Sequence, residues 1–406
     1  MTTAAEHLSP TRTGERRLVA SVCLAHLVSH YNMLLLPALF VFIRADYGVS
    51  YTELSLALTA FSLVSATLQT PVGFLVDRMG ARNNLIGGLV VCSGAVAVAG
   101  LVDSYWVFVA MYALLGLGNT VFHPADYSLL SENVAPQRMT QAFSYHTCSG
   151  MIGGAIAPVV LLFLRDLVGW RGAFLASAAF GLAAAIIVLA QGEPPAGLRT
   201  RGPRAKTADK STDAGWQMLL SPPILMNFLF FVMLSMVSGG LNQYLVAGLG
   251  ALYGTPPAIA NTALTGLLTL SAIGVLIGGA FAGRTSHHNL VAATGLMVTG
   301  AVSLLIGLID PGTLLLIAVV SLGGFATGVT LPSRDMIVRS VTPEGSFGKV
   351  FGFVTTGLHV GGIIAPLIFA QFLDRGMPQW VFFYIAICAL VSIFTVGMGM
   401  SSRRVT

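Results

Sequence analysis

The stretch GNTVFHPADYSLLSE, Gly118 to Glu132, sets His123, Pro124, Asp126 and Glu132 into an otherwise apolar segment. Ionisable groups inside such a segment are costly to bury and mark a solute pathway or a proton relay. A second set stands in AHLVSHYNMLLLPALF, where His26 and His30 are four residues apart and share a helix face, with Tyr31 and Asn32 beside them. Imidazole titrates near neutral pH, so His30 is the first candidate for sensing protons or substrate, against the alternative of a histidine satisfied by a carbonyl or a neighbouring helix. The remaining candidates are Tyr145 and His146, then Asn242, Gln243 and Tyr244 behind the helix-loosening pair Gly239 and Gly240, then Arg334, Asp335 and His359. Pro124 removes a backbone donor and frees the carbonyl one turn earlier, near Thr120.

The elements that position these groups follow from composition. Of 406 residues, 55% are hydrophobic and 9% charged, with a mean hydropathy of +0.81, whereas a soluble chain carries about 25% charged residues. The chain reads as an all-α membrane protein, because barrel alternation is absent and a helical span needs about 20 apolar residues. Twelve transmembrane helices are expected, at 18–44, 52–76, 82–102, 104–132, 138–164, 170–192, 221–250, 259–282, 288–309, 312–341, 346–372 and 379–401. Both termini then share one side. Sixteen of the 21 Lys and Arg fall there, four (Arg44, Arg165, Arg171, Arg375) fall opposite, and Arg334 lies within a helix. The positive-inside rule makes the termini cytoplasmic and the location the inner membrane. The net charge of +5 is thereby accounted for by topology, with no nucleic-acid partner implied.

Residues 193–220 read as a cytoplasmic linker between an N-terminal bundle, 18–192, and a C-terminal bundle, 221–406, with 1–17 as a cytoplasmic tail. A shift of 208 lays FSYHTCSGMIGGAIAPVV (143–160) on FGFVTTGLHVGGIIAPLI (351–368), and Pro124 on Pro332. Two six-helix bundles related by an internal repeat are a transporter architecture, with the site at their interface. Small residues at Gly150 with Gly154 and at Gly357 with Gly361 are placed to let helices approach closely. The same shift carries Asp126 onto Arg334. Either Arg334 receives an anion while Asp126 or His123 carries a proton, or the two pair with Arg82, Asp335 or each other at a cytoplasmic gate. With helix four running inward from residue 104, Asp126 is expected near the cytoplasmic edge.

No His-Glu-x-x-His, Gly-x-Ser-x-Gly or Gly-x-x-x-x-Gly-Lys pattern occurs, which argues against an enzyme or an ATP-driven pump. No cofactor and no resident metal are called for: Cys23, Cys92, Cys148 and Cys388 lie in spans without zinc spacing. His26, His30, His123, His146 and His359 keep a divalent-metal carrier open as an alternative.

After helix two comes GFLVDRMGAR. It resembles the Gly-x-x-x-Asp-Arg-x-Gly-x-Arg signature of the major facilitator superfamily, with Gly73, Asp77, Arg78, Gly80 and Arg82 matching. The resemblance implies a gate loop that latches the outward-open state, Gly73 permitting close helix contact and Asp77 sitting near a helix N-terminus. Helices one, two and four also resemble the fosmidomycin-resistance branch at His26, Phe122, His123 and Pro124, although here Ala125 follows the proline and the acid comes one place later. That likeness implies proton-coupled export, by antiport, of a small polar or anionic compound or drug. The alternative is proton-coupled symport importing an organic anion such as a monocarboxylate. The expected partners are a small-molecule substrate, protons and the lipid bilayer, with the chain a monomer.

Overall fold

The computed structural model describes residues 12–192, 216–282, 284–342 and 347–401. Among them every element is helical: α1 (Arg12–Met33), α2 (Leu35–Tyr47), α3 (Tyr51–Met79), α4 (Ala81–Leu101), α5 (Tyr105–Asn119), α6 (Phe122–Asn133), α7 (Pro136–Ala190), α8 (Trp216–Leu219), α9 (Pro222–Gly239), a π-helical turn (Gly240–Tyr244), α10 (Leu245–Tyr253), α11 (Pro257–Ala282), α12 (His288–Leu308), α13 (Thr313–Val341), α14 (Phe347–Asp374) and α15 (Gln379–Ser401). Eleven segments among the described residues are long and apolar enough to cross a membrane. Large apolar side chains such as Trp106, Leu314 and Phe394 are exposed on their outer faces, as expected where the solvent is hydrocarbon.

The expected boundaries at 138–164 and 170–192 fall within one segment, Gln137–Ala190, 54 residues long. A straight helix of that length would run about 80 Å, more than twice the hydrocarbon thickness of about 30 Å. The backbone leaves helical geometry at Gly169, with φ 73° and ψ 170°, conformations open to a residue without Cβ. The expected tail 1–17 is already helical from Arg12, and 193–215 of the expected linker lies outside the described residues.

Three helix interruptions bear on the site, each with a local chemical cause. The chain breaks at Leu34 between α1 and α2, three residues before Pro37. It breaks again at Thr120 and Val121, where Pro124 in the first turn of α6 cannot donate to the Thr120 carbonyl. At Gly239 and Gly240 there is no proline. Here the chain widens into a π-turn that carries Asn242, Gln243 and Tyr244, a distortion that recurs at functional sites.

Close packing relies on glycine where backbones touch. A Cβ on Gly357 or Gly361 would come within 2.7 Å of the Phe228 or Val232 carbonyl oxygen, fixing α14 against α9. Two expectations are corrected. Gly154 has nothing within 4 Å of its Cβ position, Gly153 and Gly150 being the residues of α7 that face α1. Gly73 is open in the same sense and lines a cleft with Phe74, Pro124 and Ser128. Gly80 instead serves the turn itself, with φ 87°. Arg82 caps the end of α7 by donating to the Val188 and Leu189 carbonyls at 3.2 and 2.7 Å, and Arg78 is exposed. The side chain of Asp77 lies outside the described residues.

Candidate functional site

A cavity of about 730 Å³ lies between the N-terminal helices α1, α2, α3, α5 and α6 and the C-terminal helices α9 and α14 with the π-turn. From the first group come Ser29, His30, Asn32, Gln69, Asn119, His123 and Tyr127; from the second come Ser235, Ser238, Asn242, Gln243, Thr355 and His359. Apolar Met33, Phe61, Leu115 and Leu358 fill the spaces between them. Among the described residues no Lys, Arg, Asp or Glu lines this cavity. Such a wall offers hydrogen bonds and three imidazoles, and no permanent charge.

The cavity is shut at one end by hydrogen bonds across the two groups of helices. Asp374, at the end of α14, accepts from the Tyr51 and Thr52 amides at 2.7 Å each. Those are the first two amides of α3, groups that lack partners within their own helix and carry its positive dipole end. One turn deeper, the hydroxyls of Ser55 and Tyr244 meet at 2.5 Å, and Tyr244 also donates to the Pro366 carbonyl at 2.7 Å. Asn261 donates to the Ala38 carbonyl at 3.3 Å. Toward the Gly80 end, Gln69 and Tyr127 join the cavity to an open cleft lined by Gly73, Phe74, Pro124 and Ser128.

Behind His30 and His123 sits the most concentrated chemistry in the molecule. Asp126 is fully buried. One of its carboxylate oxygens lies 2.9 Å from Nε2 of His146 and 3.5 Å from Nδ1 of His26. The rings of His26 and His146 stack at 3.7 Å between centroids, and those of His30 and His123 lie 4.6 and 5.3 Å from the ring of His26. Three helices converge to make this possible: α1 brings His26 and His30, α6 brings His123 and Asp126, and α7 brings His146. Gly150 supplies the room, since a Cβ there would lie 2.6 Å from the His26 ring and 2.9 Å from that of His30.

The expected site residues therefore separate into distinct places. His30, Asn32, His123, Asn242, Gln243 and His359 line the cavity. His26, Asp126 and His146 form the buried cluster behind it, so, against one expectation, Asp126 does not pair with Arg82 or Arg334 in this structure. Buried imidazoles, rather than guanidinium groups, face its carboxylate. Tyr31 is packed away from the cavity, its hydroxyl 3.2 Å from that of Ser177, and Tyr244 belongs to the closed end. Tyr145 is exposed and accepts from Gln141 at 2.8 Å beside a separate pocket near Arg138. Arg334 lies off the cavity lining, donating through Nε to Asp335 at 2.8 Å with its guanidinium 4.9 Å from the Phe231 ring centre. Residues not singled out from sequence include Gln69, Asn119, Tyr127 and Asp374; the signal for the first two was an amide within an apolar span.

Comparison with known proteins agrees with this architecture. The chain is 25% identical over 383 residues to the fosmidomycin resistance protein of Escherichia coli (strain K12), covering 86% of each. It is 24% identical over 402 residues to the probable sulfoacetate transporter SauU of Cupriavidus necator, covering 90% of this chain and 89% of that one. To the probable L-galactonate transporter of Escherichia coli it is 29% identical over 144 residues, only 36% of this chain and 32% of that relative's length. In fold it matches a bacterial homolog of the human lysosomal transporter Spinster, in an inward-facing and unoccupied conformation, with TM-score 0.79 and 14% identity over 96% of this chain and 98% of that one. A variant of the nucleoside transporter NupG gives TM-score 0.76 at 13% identity, over 95% and 100%. The model of the Major Facilitator Superfamily matches residues 22–252 and 232–403, and the chain belongs to that family of membrane transporters, which are not enzymes.

Proposed function

We propose that this chain is a secondary active transporter that exports a small polar or anionic compound in exchange for protons by alternating access. One observation carries the reading: a polar cavity between two groups of helices, sealed at one end by bonds that a rocking motion would break, with a buried carboxylate set between imidazoles behind it. In this reading the chain crosses the inner membrane twelve times as two six-helix bundles, works as a monomer and keeps both termini in the cytoplasm. The break at Gly169 supports twelve crossings, because it divides the longest segment into two of membrane-spanning length. The packing of Gly153 on α1 and of Gly361 on α9, residues 208 apart, supports the repeat. With the termini inside, the cleft near Gly80 faces the cytoplasm and the Asp374 seal faces out.

Protons would load on Asp126 and the imidazoles, while cargo is held by the cavity's amides, hydroxyls and histidines. Export is supported by the similarity, over 86% of each chain, to the fosmidomycin resistance protein. Symport of a small organic anion is the second reading, favoured by the similarity to the probable sulfoacetate transporter and by three histidines that face the cavity. Vesicle flux of labelled fosmidomycin and sulfoacetate under an imposed pH gradient tests both. Acid outside should drive loss of cargo from right-side-out vesicles for export, and accumulation for symport; flux indifferent to the gradient refutes proton coupling.

A further inference from the structure

We propose that His26, Asp126 and His146 bind a divalent transition-metal ion of the Zn2+, Co2+ or Ni2+ kind. One ligand atom from each of the three lies within 4.8 Å of the others, and all three residues are buried. A zinc ion holds imidazole nitrogen and carboxylate oxygen at about 2.0–2.2 Å. The three atoms therefore need to close around a common centre by only small side-chain movements. The ligand set also discriminates. Two imidazoles and one carboxylate suit borderline first-row ions, whereas calcium and magnesium prefer shells made of oxygen.

Two further features point to a ligand rather than to a self-contained network. Nδ1 of His26 and Oδ1 of Asp126 are buried without a hydrogen-bond partner, and a buried polar atom left unpaired is costly. A bound cation would satisfy the first directly and draw on the carboxylate that carries the second. The ligands also stand on three packed helices rather than on loops, the arrangement that holds a coordination geometry.

An entry path is present as well. His30 and His123 lie on the cavity wall, and their rings lie 4.6 and 5.3 Å from that of His26. An ion arriving through the cavity meets those imidazoles before the buried three. This site is independent of the transport direction proposed above but uses the same groups that would load protons, His26, Asp126 and His146, so metal and protons compete for them and its test reads binding and not transport.

The protein is purified in detergent, stripped with a chelator and titrated with Zn2+ by calorimetry and with Co2+ by visible absorption. About one ion per chain is expected, with a Co2+ spectrum of low-coordinate nitrogen and oxygen ligation. Asp126→Asn and His146→Ala should each weaken binding by about 100-fold or more, beyond the 10–100-fold typical of groups that only support a ligand. The double variant His287→Ala with His288→Ala removes the histidine pair at the start of α12 and should leave this binding intact. Helical circular dichroism and a single elution peak select variants that remain folded; if Asp126→Asn fails there, the Co2+ spectrum of His146→Ala decides. Absence of saturable binding in the wild type, binding that survives His146→Ala, or binding lost with His287 and His288 overturns the proposal.

Discussion

The two walls of the cavity are built from different chemistry. The wall from α1, α2, α3, α5 and α6 presents His30 and His123 and is backed by Asp126, His26 and His146, all within a few ångströms of one another. The facing wall, from α9, the π-turn and α14, presents Ser235, Ser238, Asn242, Gln243 and Thr355, with His359 as its one titratable member. Around the cavity, among the described residues, the groups that change charge are thus gathered mainly on one side, and the other holds His359 alone among neutral groups. A transporter so divided can alter the field in its cavity by loading one wall, while the other keeps the same hydrogen-bonding pattern throughout.

The largest test of this division removes the charge from the first wall. Asp126→Asn keeps the size of the side chain and a hydrogen bond to His146, but it can no longer exchange a proton. Flux driven by a pH gradient should fall by about 10²-fold or more, the scale on which positioned proton-transfer groups act, while exchange of labelled for unlabelled cargo continues. Unaltered gradient-driven flux in vesicles would place coupling outside this wall.

A smaller effect is expected where the walls meet. Asp374→Ala deletes the carboxylate that accepts from the first two amides of α3. A charged group at a helix N-terminus contributes up to about 2 kcal/mol, and about 1–2 kcal/mol shifts a two-state ratio by about 5- to 30-fold. Spin labels on loops 102–104 and 309–312 should then report a larger population separated at that end. A distance distribution identical to the wild type's would show that Ser55 and Tyr244 close the end without it.

Much of this was legible from residue type, and the contacts were not. An apolar chain with a few buried polar groups announces spans and a pathway, and Gly239 with Gly240 signalled the distortion that became the π-turn. His26 and His30 share a face because spacing alone fixes that. The partner of Asp126 was beyond reach, because it depends on how α1, α6 and α7 are rotated and on the missing side chain of Gly150. Arg334 drew attention as an intramembrane cation, yet its nearest acid is its neighbour Asp335. Asp374 drew no attention, because nothing local says that a helix end more than 320 residues away in sequence comes to meet it.

The finest test addresses the facing wall, at one of its neutral groups. Gln243 lines the cavity, and its Oε1 is buried without a partner, so it is placed to accept one hydrogen bond from cargo. Its position on the π-turn matters, since that turn also carries Tyr244 of the closed end, and a group there makes its contact while the end is shut. One neutral hydrogen bond contributes about 0.5–1.5 kcal/mol, so Gln243→Ala should raise KM for transported cargo by about 2- to 12-fold. The dependence of flux on the pH gradient should stay as in the wild type, because no titratable group has been touched. A change in that dependence, with KM unmoved, would mean that the two walls do not divide binding from coupling and that the π-turn participates in both.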